Sequence, residues 1–236
     1  MNLLLLHEND KNHNGHITLQ DYRAEHIIKI LQLPVGHRLT VGQINGDIGT
    51  AIIHAISDNT VTLRDISTTL APPPQLDVEL ILALPRPRML QRSLQTIATM
   101  GVKKLHLVHT MRVEKSFWQT PLLKPEAIRE QLVLGLEQAK ATQIPHIVLH
   151  TKWRNFIAEQ LPLMADKQKI VAHPGDYPAA GTLPPKATVL AIGPEGGFTQ
   201  HEVDELLSHA FKPVQLGGRI LRVETAVPVL LAKLFN

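Results

Sequence analysis

At 236 residues the chain is long enough to bury more than one core, and a hydrophobic fraction of 44% is ordinary for a globular protein. No apolar run reaches the length of a membrane span, the opening MNLLLLHEND lacks the basic and apolar stretches of a signal peptide, and there is no cysteine. Disulfides, thiolate metal sites and cysteine nucleophiles are therefore excluded, and a cytoplasmic location with no membrane partner is expected. The formal charge of +3 is unevenly spread, since residues 1–76 carry five Lys/Arg against seven Asp/Glu and residues 77–236 carry nineteen against fourteen.

In chain order, LQDYRAEHIIKILQL spaces Tyr22, Ile27, Ile30 and Leu31 as one face of a helix that stops at Pro34-Val35-Gly36. HRLTVGQI, Asn45-Gly46, DIGTAIIHAIS, Asp58-Asn59 and TVTLRDI follow as strands separated by turn pairs. Asn-Gly between alternating apolar runs is a hairpin signal, so this region reads as a small β-rich domain with one helix. In STTLAPPPQL, residues 67–76, three consecutive prolines predict an extended connector and place the domain boundary there.

Beyond the connector, short apolar strands alternate with helices. VELILAL (78–84), KLHLVH (104–109), HIVLH (146–150), KIVAH (169–173), TVLAI (188–192) and PVQL (213–216) read as strands buried on both faces. Helical patterns between them are Leu90, Leu94, Ile97 and Ala98, then Ile128, Leu132, Leu136 and Ala139, then Phe156, Ile157 and Leu161. This alternation predicts a parallel α/β sheet, with ligands in the crevice beyond the carboxyl ends of its strands. Residues 77–119 carry Arg86, Arg88, Arg92, Lys103, Lys104, Arg112 and Lys115 against Asp77, Glu79 and Glu114, a surplus that suits a polyanion such as RNA as well as it suits a solvated surface.

The stretch AIGPEGGFTQHEVDELL, residues 191–207, joins a strand to a helix through three glycines, a proline and Glu195. Thr199 and Glu202 have the spacing of a capping box, Phe198 and Val203 that of a hydrophobic staple, and Val203, Leu206, Leu207 and Ala210 form the buried stripe. Gly193, Gly196 and Gly197 allow a ligand to approach the backbone, but Pro194 removes an amide and Glu195 adds negative charge, which disfavours phosphate. A cationic or neutral polar ligand, a partner arginine or a plain structural turn all remain open. QLGGRILRVETAVPVLLAKL, residues 215–234, repeats the pattern of strand end, glycines and helix, with Thr225 as the expected cap and Pro228 in the first turn. AHPGD, residues 172–176, supplies a third strand end, and the three are expected to converge on one pocket. Thirteen histidines include none in a supported metal-binding spacing: His13 and His16 lie in a polar loop, His106 and His109 in or beside a strand, and His201 and His209 on the exposed face of the capped helix. No metal is expected.

The ordered motifs IGPEGGF and LGGRILRVETA, with LPRPRMLQRSLQTIATMGVKKLHLV upstream, resemble the RsmE family of 16S ribosomal RNA uridine N3-methyltransferases, of the SPOUT class. The resemblance covers nearly the whole chain. It implies an α/β fold with a parallel sheet tied as a trefoil knot at residues 75–236, and a PUA-like RNA-binding β-barrel at residues 1–70. It further implies a homodimer, 16S ribosomal RNA or the small ribosomal subunit as partner, and S-adenosylmethionine as cofactor. By motif matching, the cofactor would be held by His173, Pro174 and Gly175, by Ile192, Gly193, Pro194, Gly196 and Gly197, by Leu216, Gly217, Gly218, Ile220 and Leu221, and by Thr225 and Ala226. Arg222 would stabilise developing charge, oriented by Glu195 or Glu224, and Glu195 would pair with Arg219, Arg222 or the partner subunit. Expected RNA contacts are Arg86, Arg88, Arg92, Arg112, Lys115 and Arg219. The chain departs from the family pattern at Thr96, near which the family has a lysine, and at Ala141, where it has an arginine. Two other readings stay open at this point: an RNA-binding protein of the same fold that acts on a different nucleotide or without turnover, and an α/β enzyme acting on a small anionic metabolite.

Overall fold

A computed structural model describes residues 2–10 and 15–235; His13 lies outside the described residues. The chain forms two compact units, one of residues 1–74 with 136–144 and one of residues 75–135 with 145–236.

The first unit is built on a five-stranded mixed sheet. Its strands are β1 (Leu4–Leu6), β2 (Ile17–Leu19), β3 (Arg38–Gln43), β4 (Ile48–Ser57) and β5 (Thr60–Leu70), in the order β1-β3-β4-β5-β2. The hairpins at Asn45-Gly46 and Asp58-Asn59 pair β3 with β4 and β4 with β5 antiparallel, whereas β1 adds to β3 in parallel. Neither β1 nor β2 is signalled by alternation in the sequence, because each is only three residues long. Helix α1 (Tyr22–Glu25) opens with the Asp21 side chain capping the Arg23 amide, and continues as a π turn over His26–Leu31. Ala24 and Ile27 pack into a core of Leu4, Leu6, Leu19, Val41, Ile53 and Leu63. Of the expected stripe, Ile27 is buried, whereas Tyr22, Ile30 and Leu31 are exposed. The connector is shorter than its prolines suggest. Thr68 and Leu70 extend β5 against Gly49 and Ile48, which leaves only residues 71–75 outside the strands.

The second unit holds a fully parallel six-stranded sheet. Its strands are β6 (Leu76–Ala83), β7 (Val102–Val108), β8 (His146–His150), β9 (Gln168–Ala172), β10 (Thr188–Ile192) and β11 (Lys212–Val214), in the order β11-β9-β10-β6-β7-β8. Its helices are α2 (Pro87–Thr99), α3 (Pro125–Ala139, of which residues 136–139 fall in the first unit), α4 (Trp153–Asn155, extended by a π turn over Phe156–Gln160), α5 (Gln200–Ser208) and α6 (Val223–Leu234). Double-faced burial holds for the central strands, with every residue of β10 buried, but not for the edges β8 and β11, whose outer sides face solvent. Helix α2 buries Leu90, Leu94, Ile97 and Ala98 as its periodicity requires, and Ser93 with them.

Candidate ligand cleft

Strands β9, β10 and β11 are neighbours or next neighbours, so their carboxyl ends deliver three loops to one place. Residues 173–175, 193–195 with Gly197, and 214–221 surround a cleft of about 320 Å³ whose floor is Val223, Ala226 and Leu230 of α6. Of the residues matched above to the cofactor, all line the cleft except Gly196 and Thr225. Glu195 and Arg219 also line it, while Arg222 and Glu224 stand just outside. Its size lies in the range of small-molecule sites, and its lining is mostly apolar side chain and backbone.

The glycine loop is a tight turn closed by the Gly197 amide on the Pro194 carbonyl at 2.7 Å, with Gly197 at φ +73°. Any other residue at position 197 would hold that left-handed conformation under strain. The loop then enters α5 through the full capping box: Thr199 Oγ1 accepts the Glu202 amide at 3.3 Å, and Glu202 Oε2 accepts the Thr199 amide at 2.8 Å. Phe198 and Val203 are both buried, and the Phe198 ring packs tilted against Trp153, whose Nε1 donates to Glu205 at 2.7 Å. The expected stripe of α5 is cut short, because the helix ends at Ser208 and Ala210, at φ +66°, is exposed. His201 is exposed, whereas His209 is half-buried as the C-cap, hydrogen-bonded to the Glu205 carbonyl.

Glu195 does not pair with Arg219 or Arg222 among the described residues; its Oε1 accepts the backbone amide of Arg86 at 3.4 Å, the residue that caps α2. Arg222 reaches Glu224 at 4.0 Å with its own side chain 83% exposed, and Glu224 Oε2 is buried with no hydrogen-bond partner among the described residues. Helix α6 starts three residues earlier than a cap at Thr225 predicts: Arg222 is the N-cap, its carbonyl accepting the Thr225 and Ala226 amides, so Thr225 lies in the first turn and Pro228 in the interior. Buried Val223 and Val227 one turn apart extend the apolar face upstream and override the cap signal.

Among the expected RNA contacts, Arg86, Arg88, Arg92, Lys115 and Arg219 are exposed. Arg112 is exposed as well, but its Nη1 donates to the carbonyl oxygens of Gly196 and Phe198 in the glycine loop. His173 is held below the usual histidine pKa by burial and then by the Arg112 charge, so its ring is neutral at pH 7. Sequence reasoning missed Glu202 as a partner of the Met111 amide, at 2.7 Å and across 91 positions, because spacing carries no signal over such distances. No group of metal-ligating side chains and no helix long and apolar enough to cross a membrane occurs among the described residues.

Fold and cleft together define a parallel α/β protein with a cofactor-sized site beyond the carboxyl ends of its strands. The chain belongs to the RNA methyltransferase domain family, which matches residues 72–235. It is 29% identical over 232 residues to the ribosomal RNA small subunit methyltransferase E of Treponema pallidum, covering 96% of this chain and 87% of the relative. A second relative, ribosomal RNA small subunit methyltransferase E 1 of Borreliella burgdorferi, is 26% identical over 96% of this chain and 94% of its own. The crystal structure of the ribosomal RNA small subunit methyltransferase E of Neisseria gonorrhoeae bound to S-adenosyl methionine superposes with a TM-score of 0.75 at 21% identity, covering 98% of this chain and 95% of the other. That likeness establishes the shared fold.

Proposed function

We propose that the protein transfers a methyl group from S-adenosylmethionine to N3 of a uridine in 16S ribosomal RNA of the small subunit. The observation that carries this reading is the convergence of three glycine-bearing loops on one cleft of about 320 Å³. Relatives of this chain, end to end, are named as methyltransferases of small-subunit ribosomal RNA. The residues present suit the cofactor. At Gly217 and Gly218 an added Cβ would meet only open space, which leaves room beside the backbone for a ligand. Leu216, Leu221, Val223, Ala226 and Leu230 offer an apolar bed for a flat base. When bound, S-adenosylmethionine supplies an electrophilic sulfonium methyl.

Uridine N3 carries an imide proton, which has to pass to solvent water, with negative charge spreading to O2 and O4, before the nitrogen can form its bond to carbon; the carbon–sulfur bond of the donor would break in that step, its electron pair staying on a neutral thioether. Holding two reactants in line supplies about 7–11 kcal/mol of barrier reduction. General base catalysis adds about 10²- to 10⁴-fold. Positioning is the larger share. The guanidinium of Arg222, permanently charged and exposed at the lip, stabilises the O2/O4 charge, and Glu224 at 4.0 Å orients it. Glu195 holds the glycine loop to the Arg86 amide at the head of α2. Arg86, Arg88, Arg92, Lys115 and Arg219 provide exposed positive charge for the RNA backbone.

In this reading residues 1–70 form a PUA-like RNA-binding barrel, supported by their mixed five-stranded sheet, and residues 75–236 the methyltransferase domain. The C-terminal trefoil knot is supported by the long loop after β9, which pairs with Gln215 through Pro178 and Ala180 and meets the end of α6 where the Leu183 amide donates to the Leu234 carbonyl at 2.9 Å. The active form is a homodimer in the cytoplasm. Mass spectrometry of ribosomal RNA from a strain lacking the gene tests the assignment: one N3-methyluridine in 16S RNA is absent, wild-type protein restores it, and Arg222→Ala does not. An unchanged methylation pattern refutes the reaction, and full restoration by Arg222→Ala refutes the role of Arg222.

A further inference from the structure

From the contacts of the loop after β7 we infer that Arg112 is a positioning residue for the cofactor loop, acting as a clamp on the glycine turn rather than as a contact to RNA. This inference rests on the reading of the cleft as an S-adenosylmethionine site. The segment after β7 is pinned at one point by its Met111 amide, which donates to Glu202 Oε1 at 2.7 Å. Glu202 is 3% exposed, and its other oxygen accepts both the amide and the hydroxyl of Thr199, at 2.8 and 2.9 Å. One buried carboxylate therefore fixes the start of α5 and the base of the arginine loop together. One residue on, Arg112 reaches back over the turn, donating to the carbonyls of Gly196 and Phe198. Its aliphatic stem lies where a side chain at position 196 would project, since an added Cβ there would sit 3.2 Å from Arg112 Cδ. Beside it, a Cβ on Gly197 would be 3.7 Å from His173 Cε1 and 3.9 Å from Arg112 Nη1. The guanidinium thus borders two of the three loops that line the cleft.

A turn containing Gly196 and Gly197 has more backbone freedom to lose than any other composition, so a ligand that needs it ordered binds more weakly when nothing else orders it. Charge-assisted bonds to the two carbonyls supply that order beforehand.

The test combines calorimetric titration of S-adenosylmethionine with the salt dependence of binding to a 16S ribosomal RNA transcript, on the wild type, Arg112→Ala, Arg112→Lys and Glu202→Gln. Loss of charge-assisted hydrogen bonds predicts donor binding weaker by about 10- to 100-fold in Arg112→Ala, with Lys recovering part of it because it keeps the charge and loses the fork. Glu202→Gln, which leaves the guanidinium in place but loosens its base, falls between wild type and Arg112→Ala. The slope of log affinity for RNA against log salt stays at the wild-type value in Arg112→Ala. A slope smaller by about one marks Arg112 as a phosphate contact and overturns the inference. Wild-type donor affinity in a folded Arg112→Ala also overturns it, and leaves the methyltransferase reading standing. No donor binding by the wild type overturns the reading of the cleft and the inference with it.

Discussion

Glu79 on β6 shows how much one side chain can organise inside a parallel sheet. It faces Lys167, Lys104 at 3.6 Å and the fully buried His106, whose Nε2 lies 3.1 Å away. His106 Nδ1 is in turn 2.9 Å from His150 Nε2. A single proton arrangement satisfies the chain: His150 Nε2–H donates to His106 Nδ1, and His106 Nε2–H donates to the carboxylate, both rings being neutral. The hydrogen bond from His106, against a desolvation cost and with help from the lysines, draws Glu79 down to about 2, and burial followed by repulsion from His106 draws His150 down to about 4. Both folded values lie below the unfolded ones, so for each group the unfolded chain binds more protons over the interval and stability is lost as pH is lowered. His150 costs stability as pH drops from 6.5 toward 4, and Glu79 as it drops from 4.5 toward 2. The expected outcome is a thermal midpoint that declines steadily below pH 6.5, with the upper part of the decline shallower in His150→Gln, the other histidines with lowered pKa values keeping the rest. An upper limb unchanged in that variant counts against the arrangement. Nothing in KKLHLVH distinguishes His106 from a surface histidine, because its partners lie 27 positions before and 44 after it.

Helices were legible where a signal is local, and misplaced where packing decided the boundary. The box of Thr199 and Glu202 is complete within four residues and was readable without coordinates, whereas the early start of α6 depends on what Val223 and Val227 bury against. Gly135, in the middle of α3, illustrates the second case. A Cβ there would stand 2.3 Å from the backbone oxygen of Gln95 and 2.9 Å from the Ala98 side chain, so α2 and α3 meet at a contact that only glycine permits. Thr99 Oγ1 donates to the Gly135 carbonyl at 3.0 Å and Gln95 Nε2 to Gln131 Oε1 at 2.7 Å, fixing that contact in register. Gly135→Ala sets two effects against each other. Alanine is favoured by about 1 kcal/mol in a helix interior. Overpacking against backbone, which cannot rotate away, costs about 1–3 kcal/mol. The steric term is expected to win, giving a net loss of about 1 kcal/mol, read as a lower denaturant midpoint at unchanged m-value. A midpoint at or above wild type would mean the helices separate without penalty.

At the scale of the molecule, the sequence conveyed a parallel α/β sheet through its alternation of strands and helices, but not the order β11-β9-β10-β6-β7-β8, since period and spacing do not encode which strand lies beside which. That order is what brings the three glycine loops to one cleft, a convergence that the repeated pattern of strand end, glycines and helix already pointed to. Charge is the other property that belongs to the whole chain. The basic excess is confined to residues 77–236, and its exposed part begins with Arg86, Arg88 and Arg92 on and before the first turns of α2, where the Arg86 amide donates to Glu195. If this face holds the RNA, its contribution is electrostatic and must appear as released counterions, each neutralised phosphate adding about 0.7–0.9 to the slope of log affinity against log salt. Replacing Arg88 and Arg92 together with Gln is expected to lower that slope by about 1.5 on a 16S ribosomal RNA transcript, while S-adenosylmethionine affinity stays at the wild-type value because neither residue lines the cleft. The Arg112→Ala protein should show the opposite pair of readings. The two variants thereby separate RNA capture from cofactor binding within one domain, and a slope untouched by the double replacement would move the RNA to another face.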